Sequence, residues 1–167
     1  MKFLPTECFT YKTRLKESEI ISRLSDHIEP EKTFRFGIFG SGSTKNYEGQ
    51  INGQTFYIKR IISYRNSFLP RIYGIIERDL DGSIIKVKMK LHVVVKVFLC
   101  IWFGGVGLGC VAFLIQAFNK SAFDPMTLIP FGMLIFAYGL TMGGFKYESI
   151  KSNKFLQAIF EAETIKK

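Results

Sequence analysis

Hydrophobic and polar positions alternate along the first part of the chain, as they do in half-buried β-strands. In Cys8–Leu15, the side chains of Phe9 and Tyr11 fall on one face, and polar residues fall on the other. The period then changes, because Glu17–Ile28 carries an apolar stripe with helical spacing, which Pro30 ends. The pattern therefore predicts a strand followed by a helix.

Further strands follow, separated by turn signals. They are predicted at Phe34–Phe39, 46–51, 54–62, 71–79 and Ser83–Leu91. Asn52-Gly53 is typical of a two-residue β-hairpin turn. In the last strand the apolar residues face one way, and Lys86, Lys88 and Lys90 face the other. These strands predict an antiparallel sheet with one apolar face covered by the helix, and a small open barrel is the alternative arrangement.

Two long apolar runs dominate the second part of the chain. Val97–Phe118 and Pro125–Phe145 contain no charged residue, and a helix of about 20 apolar residues crosses a hydrocarbon core of about 30 Å. The runs predict a two-helix transmembrane hairpin, with helices at about 93–118 and 125–145. After it, Ser149–Glu163 has the pattern of an amphipathic helix that either lies on the membrane or docks onto the sheet domain.

The predicted fold class is therefore an α+β membrane protein in three parts. A cytoplasmic α+β domain occupies residues 1–92, the transmembrane hairpin occupies residues 93–145, and an amphipathic cytoplasmic tail occupies residues 146–167. Basic residues flank the hairpin on both sides, whereas the short segment between its helices contains one lysine. Because loops rich in Lys and Arg stay in the cytoplasm, we expect both termini to be cytoplasmic.

The chain carries a formal net charge of +9, which suits either nucleic acid or anionic lipid as a partner. The sequence contains no helix–turn–helix, zinc-finger or RNA-binding pattern, so we expect no nucleic-acid partner. Basic residues beside a bilayer attract anionic headgroups, at about 1 kcal/mol for each residue. The candidate contacts with anionic lipid are Lys86, Lys88, Lys90, Lys96 and Lys146.

A second candidate site lies where the strand pattern is interrupted. Residues 63–70 (SYRNSFLP) form a predicted loop with arginines in it and on both sides of it. Guanidinium groups bind carboxylates and phosphates well, so such a loop suits an anionic ligand or a protein partner. Its candidate residues are Arg60, Tyr64, Arg65, Asn66 and Arg71.

Pairs of glycines spaced four residues apart occur in both apolar runs. Gly105 and Gly109 form one pair, and Gly139 and Gly143 form the other. Small residues at this spacing let helix backbones approach closely inside a membrane. The pairs predict helix packing, either within the hairpin or between the subunits of a homo-oligomer.

The sequence offers no catalytic constellation. It contains no paired acid and base, no Ser–His–Asp pattern and no metal-ligand spacing. Two of the three cysteines lie inside the first apolar run, which is not a disulfide framework. We therefore expect no enzymatic activity, no metal and no cofactor.

Three stretches resemble a set of uncharacterised bacterial proteins with two transmembrane helices and a cytoplasmic β-rich domain. They are YRNSFLPRIYG in the sheet region, LHVVVKVF at the start of the first apolar run, and GFKYESIKSNKFL after the second. The resemblance covers most of the chain, implies a bacterial inner membrane, and carries no activity with it. The functional hypothesis is an integral membrane protein that presents a binding or scaffold module at the inner leaflet. The alternative is an oligomeric channel or membrane-disrupting effector formed by the hairpins.

Overall fold

The computed structural model describes residues 5–30, 45–119 and 125–166. The strands are β1 (Thr6–Thr13), β2 (Ile28–Pro30), β3 (Tyr47–Asn52), β4 (Thr55–Arg60), β5 (Arg71–Asp79), β6 (Gly82–Lys90) and β7 (Glu163–Lys166). The α-helices are α1 (Glu17–His27), α2 (Val93–Asn119) and α3 (Ile129–Phe160), and a 3-10 turn spans Pro125–Leu128. The predicted strand at Phe34–Phe39 lies outside the described residues.

These strands form one sheet in the order β2-β3-β4-β5-β6-β1-β7. The β2–β3 pair is parallel, and every other neighbouring pair is antiparallel. The hairpin between β3 and β4 is confirmed, but its turn lies one residue later than predicted: Asn52 pairs with Thr55, and the turn residues are Gly53, with a φ of +55°, and Gln54. The strand at 71–79 is confirmed, and the strand at Ser83–Leu91 and the helix at Glu17–Ile28 are confirmed with ends shifted by at most one residue.

The hydrophobic core lies on one face of the sheet, which α1 and the second half of α3 cover. Tyr11 and Ile72 from the strands, Leu24 from α1 and Phe160 from α3 are all fully buried in one cluster. At the centre of this face, β5 carries Gly74. A Cβ atom there would lie 2.0 Å from the ring Cζ of Phe56, so the glycine makes room for the aromatic ring.

The predicted two-helix transmembrane hairpin is wrong for the part of the chain that the structure describes. One helix there is long and apolar enough to cross a membrane, and its candidate span is Val93–Gln116. The second apolar run begins in the 3-10 turn, so its α-helical part covers only residues 129–145. That length rises about 26 Å, which is short of a hydrocarbon core of about 30 Å. The channel hypothesis depended on this hairpin, which the described residues do not show.

The predicted separate tail helix and the all-antiparallel sheet are also corrected. The chain does not break near residue 146, because α3 continues without interruption to Phe160. The second half of α3 docks onto the sheet and buries Phe145 and Leu156. Of the two arrangements that the sequence left open for this segment, the structure therefore shows docking onto the sheet domain. The last residues form β7, an edge strand that pairs with β1. The described residues therefore form a mixed seven-stranded sheet with three α-helices.

Candidate functional site

The candidate site lies at the end of the sheet from which α2 departs, which we call the α2 end. There β4 ends at Arg60, β5 begins at Arg71 and β6 ends at Lys90. Only Leu91 and His92 separate β6 from α2. Successive side chains of a strand point to opposite sides, so each strand contributes to two surfaces. We call them the core face, which α3 covers, and the open face.

Basic and aromatic residues meet on the open face of the α2 end. Arg71 and Lys90 are direct cross-strand partners. The guanidinium carbon of Arg71 lies 5.7 Å from the centre of the Tyr57 ring, and the Lys90 ammonium lies 6.0 Å from the centre of the Tyr73 ring. The two rings are 5.1 Å apart. Cation–π contacts of this kind hold the charges in place without neutralising them.

Most basic residues on the strands have an acidic partner, but three on the open face have none within the described residues. The ion-paired residues are Lys12, Lys59, Arg60, Arg78 and Lys86. Arg71, Lys88 and Lys90 belong to none of the ion pairs formed within the described part of the chain. Lys88 is the cross-strand partner of Tyr73, so it belongs to the same surface. Uncompensated positive charge is therefore concentrated at the α2 end.

His92, just before the start of α2, lies close enough to these positive charges for them to affect its pKa. Burial, followed by the positive charges of Arg71 and Lys59, lowers the pKa of His92 below its usual range. Its Nδ1 accepts a hydrogen bond from the backbone N–H of Val94 at 3.1 Å, which caps the first turn of α2. The open-face cations and the beginning of the apolar helix are thus adjacent.

The core face of the α2 end contains a buried ionic network. Glu148 of α3 is fully buried, and its carboxylate accepts a hydrogen bond from Arg60 Nη1 at 2.8 Å. The Tyr64 hydroxyl donates to the other oxygen of the same carboxylate. This hydrogen bond to Glu148 is the main cause that raises the pKa of Tyr64. The network joins β4 and the loop after it to α3.

Three further polar contacts attach α3 to the sheet. Glu7 of β1 pairs with Lys146 and accepts a hydrogen bond from the Ser149 hydroxyl. The Tyr47 hydroxyl donates to Ser152 Oγ at 3.4 Å, and burial is the main cause that raises the pKa of Tyr47. These polar residues lie on the side of α3 that faces the sheet, so the contacts are structural rather than exposed to a ligand.

The five lysines predicted to contact lipid occupy different environments. Lys86 and Lys146 each have an acidic partner. Lys88 and Lys90 lie on the open face, and Lys96 lies in the first turn of α2. The structure thus brings Lys88 and Lys90 together near α2, and lipid contact by any of the five stays a prediction.

The residues predicted to form one ligand-binding loop are divided by the sheet. Arg60 and Tyr64 converge on the buried carboxylate at the core face. Asn66 accepts a hydrogen bond from a backbone N–H of its own loop, and Arg65 is exposed. Arg71 lies on the open face, on the opposite side of the sheet from Arg60. A shared ligand for all five stays a prediction, but the structure places them on two surfaces.

Sequence reasoning missed Glu148, Tyr57 and Tyr73. Alternation along the strands could have placed the tyrosines beside Arg71, but only the strand register shows that they are neighbours across β4 and β5. Glu148 gave no signal, because its partners lie far away in the sequence.

The glycine pairs show open space around them. Apart from neighbouring residues and backbone of the same helix, no described atom lies within 4 Å of a Cβ atom built at Gly105, Gly109, Gly139 or Gly143. Packing of these glycines against another helix of the same chain is therefore not seen in the described residues, and their use between subunits stays a prediction.

Within the described residues, no group of three or more His, Cys, Asp or Glu side chains could hold a metal ion. No family model, curated protein or solved structure matches the chain. The functional argument therefore depends on the geometry of this chain.

Proposed function

We propose that the chain is a membrane-anchored protein whose sheet domain acts as a binding or scaffold module at the membrane surface, and that it is not an enzyme. The observation that carries the proposal is α2. Its span Val93–Gln116 has a mean hydropathy of 2.3, and only 6% of its most apolar stretch is buried inside the structure. A bilayer covers apolar surface of this kind. It offers no hydrogen bonds to the backbone, and an α-helix needs none because its backbone groups bond within the helix.

Exposed side chains support this anchoring. On α2, Ile101 and Leu108 are largely exposed, and on the first half of α3, Ile135 and Phe136 are exposed as well. In the proposal lipid contacts both sets of side chains. The second half of α3 lies in the domain core, so the sheet is held directly against the membrane surface rather than on a flexible linker.

The orientation of the chain is part of the proposal. β1 and β7 pair in one sheet, so both ends of the described chain belong to the same sheet domain. The basic residues around the start of α2 favour the cytoplasmic side, because basic flanks are retained there. The resemblance to bacterial proteins favours the inner membrane of a bacterium.

Membrane extraction tests the proposal. The full chain, expressed in a bacterium, should stay in the membrane pellet after an alkaline carbonate wash. Reporters that are active only outside the cytoplasm should stay inactive when fused to Met1 or Lys167. The double variant Ile101→Lys with Leu108→Lys should lose membrane retention, because each lysine at the centre of the span costs about 3 kcal/mol.

The matched control is Leu80→Lys, which adds a lysine at a fully exposed position in the turn between β5 and β6. This variant should behave as the unmodified chain does. Release of the unmodified chain by carbonate, or an active reporter at either end, contradicts the proposal.

A further inference from the structure

We propose that Arg71, Lys88 and Lys90, together with the exposed ring of Tyr73, form a binding site for the phosphate group of an anionic lipid in the membrane that α2 enters. The site is the open face of the α2 end. This inference rests on the proposed membrane anchoring and adds the chemical class of the ligand.

The first argument is the arrangement of like charges. Arg71 and Lys90 are opposite each other on β5 and β6, and Lys88 follows two residues from Lys90 on the same face. Direct cross-strand partners have Cβ atoms about 5 Å apart, and like charges at that distance destabilise a sheet. A bound anion removes this repulsion.

The second argument is the contrast with the neighbouring lysine. Lys86 lies on the same strand and the same face, but its ammonium is 2.7 Å from a carboxylate oxygen of Glu77. Lys86 therefore has a carboxylate partner from the chain itself, whereas Lys88 and Lys90 have no such partner within the described residues. An arginine beside lysines is well suited to phosphate, since the guanidinium binds two oxygens while the ammonium groups add charge.

The third argument identifies the ligand as lipid. Lys90 ends β6 three positions before α2 begins at Val93, so the cations lie where the chain would enter the bilayer. Tyr73 is exposed beside them, and tyrosine is enriched at the level of lipid headgroups. The site thus combines charge, an amphipathic ring and the headgroup level.

The test uses the purified full chain in a neutral mild detergent. Thermal unfolding is followed while short-chain phosphatidylglycerol, short-chain phosphatidylcholine or inorganic phosphate is titrated in. A ligand that binds the folded state raises the unfolding temperature with concentration, so each titration gives an apparent Kd. We expect saturable stabilisation by phosphatidylglycerol, and little by phosphatidylcholine or phosphate.

Three variants locate the site. Arg71→Gln and Lys90→Gln should each raise the apparent Kd about five-fold, which corresponds to about 1 kcal/mol for each lost charge. Without lipid, both variants should be about as stable as the unmodified chain, because the loss of the repulsive pair offsets the loss of one cation–π contact. Lys86→Gln makes the same change of charge on the same strand and face, and should change the Kd by less than about two-fold.

A spectroscopic readout reports on the same surface. The chain has two histidines, and nuclear magnetic resonance can follow each one separately. Phosphatidylglycerol should raise the pKa of His92, because the anion offsets the charges of Arg71 and Lys59 that lower it. His27 of α1 lies elsewhere in the fold, so its signals serve as the internal control.

Several results would overturn the inference. Equal stabilisation by phosphatidylcholine removes the role of charge, and equal stabilisation by inorganic phosphate identifies a soluble anion as the ligand. A Lys86→Gln variant as weak as Arg71→Gln means that the binding is unspecific attraction. A chain that resists carbonate extraction but gives one of these results overturns this inference alone, whereas release by carbonate overturns the anchoring.

Discussion

Replacing Arg60 by methionine should destabilise the fold strongly, although Arg60 lies at the edge of the sheet domain. The variant Arg60→Met keeps a long side chain and removes the guanidinium that faces Glu148. The Glu148 carboxylate has no exposed surface, so water does not replace the lost partner. Tyr64 remains as a hydrogen-bond donor, but it brings no positive charge.

The magnitude follows from burial. Removing one partner of a fully buried ion pair costs about 3–5 kcal/mol. The side chain of Arg60 is 26% exposed, so part of its interaction is screened, and we expect a loss of about 2–3 kcal/mol. The matched control is Lys86→Met, because the side chains of Lys86 and Glu77 are 55% and 43% exposed. Losing that surface pair should cost less than about 1 kcal/mol.

Thermal unfolding of the full chain in detergent measures both variants. For a chain of this length, 1 kcal/mol shifts the unfolding temperature by about 2–4 °C, so Arg60→Met should lower it by about 4–12 °C. The double variant Arg60→Met with Glu148→Met should recover most of the loss, since no buried charge is left unpaired. Equal shifts for Arg60→Met and Lys86→Met, or a double variant less stable than Arg60→Met, would refute the reasoning.

Three other predictions concern glycines and tyrosines. Gly74→Ala should lower the free energy of unfolding by about 1–3 kcal/mol, because the new methyl group overpacks against the Phe56 ring. The control Gly132→Ala lies in open space on α3 and should be neutral or slightly stabilising. Equal shifts of the unfolding temperature for the two variants would contradict this prediction. Gly109→Leu should reduce crosslinking between copies in membranes without lowering the unfolding temperature, and unchanged crosslinking would remove the proposed glycine contact. Tyr11 and Tyr47 have raised pKa values, so denaturation should become easier as the pH rises above about 10, where only the unfolded chain releases these protons. A free energy of unfolding that does not fall above that pH would contradict it.

The strands were predictable because their signals are local. The β3–β4 turn needs a residue that tolerates positive φ, and Gly53 supplies it. The lysines of β6 mark the open face by simple alternation, and the structure keeps Lys86 and Lys88 exposed. In contrast, β7 spans only Glu163–Lys166 and forms because β1 offers it an edge, which no local pattern reveals.

The prediction for the second apolar run was wrong because one unbroken helix, α3, passes from an exposed apolar half to a half that packs on the sheet. The pattern of Ser149–Glu163 predicts a separate amphipathic helix whose apolar face includes Ile150, but Ile150 is exposed in the structure. The buried face instead includes Glu148, Ser149 and Ser152, whose partners come from β1, β3 and β4. Polar residues break an apolar stripe in the sequence, yet they are buried when distant residues satisfy their hydrogen bonds.

These polar partners also determine where α3 stops along the sheet. An apolar stripe repeats with each turn of a helix, so hydrophobic packing alone tolerates a slide of one turn, about 5.4 Å. Polar contacts form at only one position of α3 along its axis. They are the Arg60–Glu148 pair, the hydrogen bond from Tyr11 to Asn153 and the contact of Glu7 with α3. A slide would leave Glu148 buried without its partner, which costs several kcal/mol. Because the first half of α3 carries the exposed apolar side chains, this fixed register sets the height of the sheet relative to them, and hence the distance of the open-face cations from the proposed headgroups.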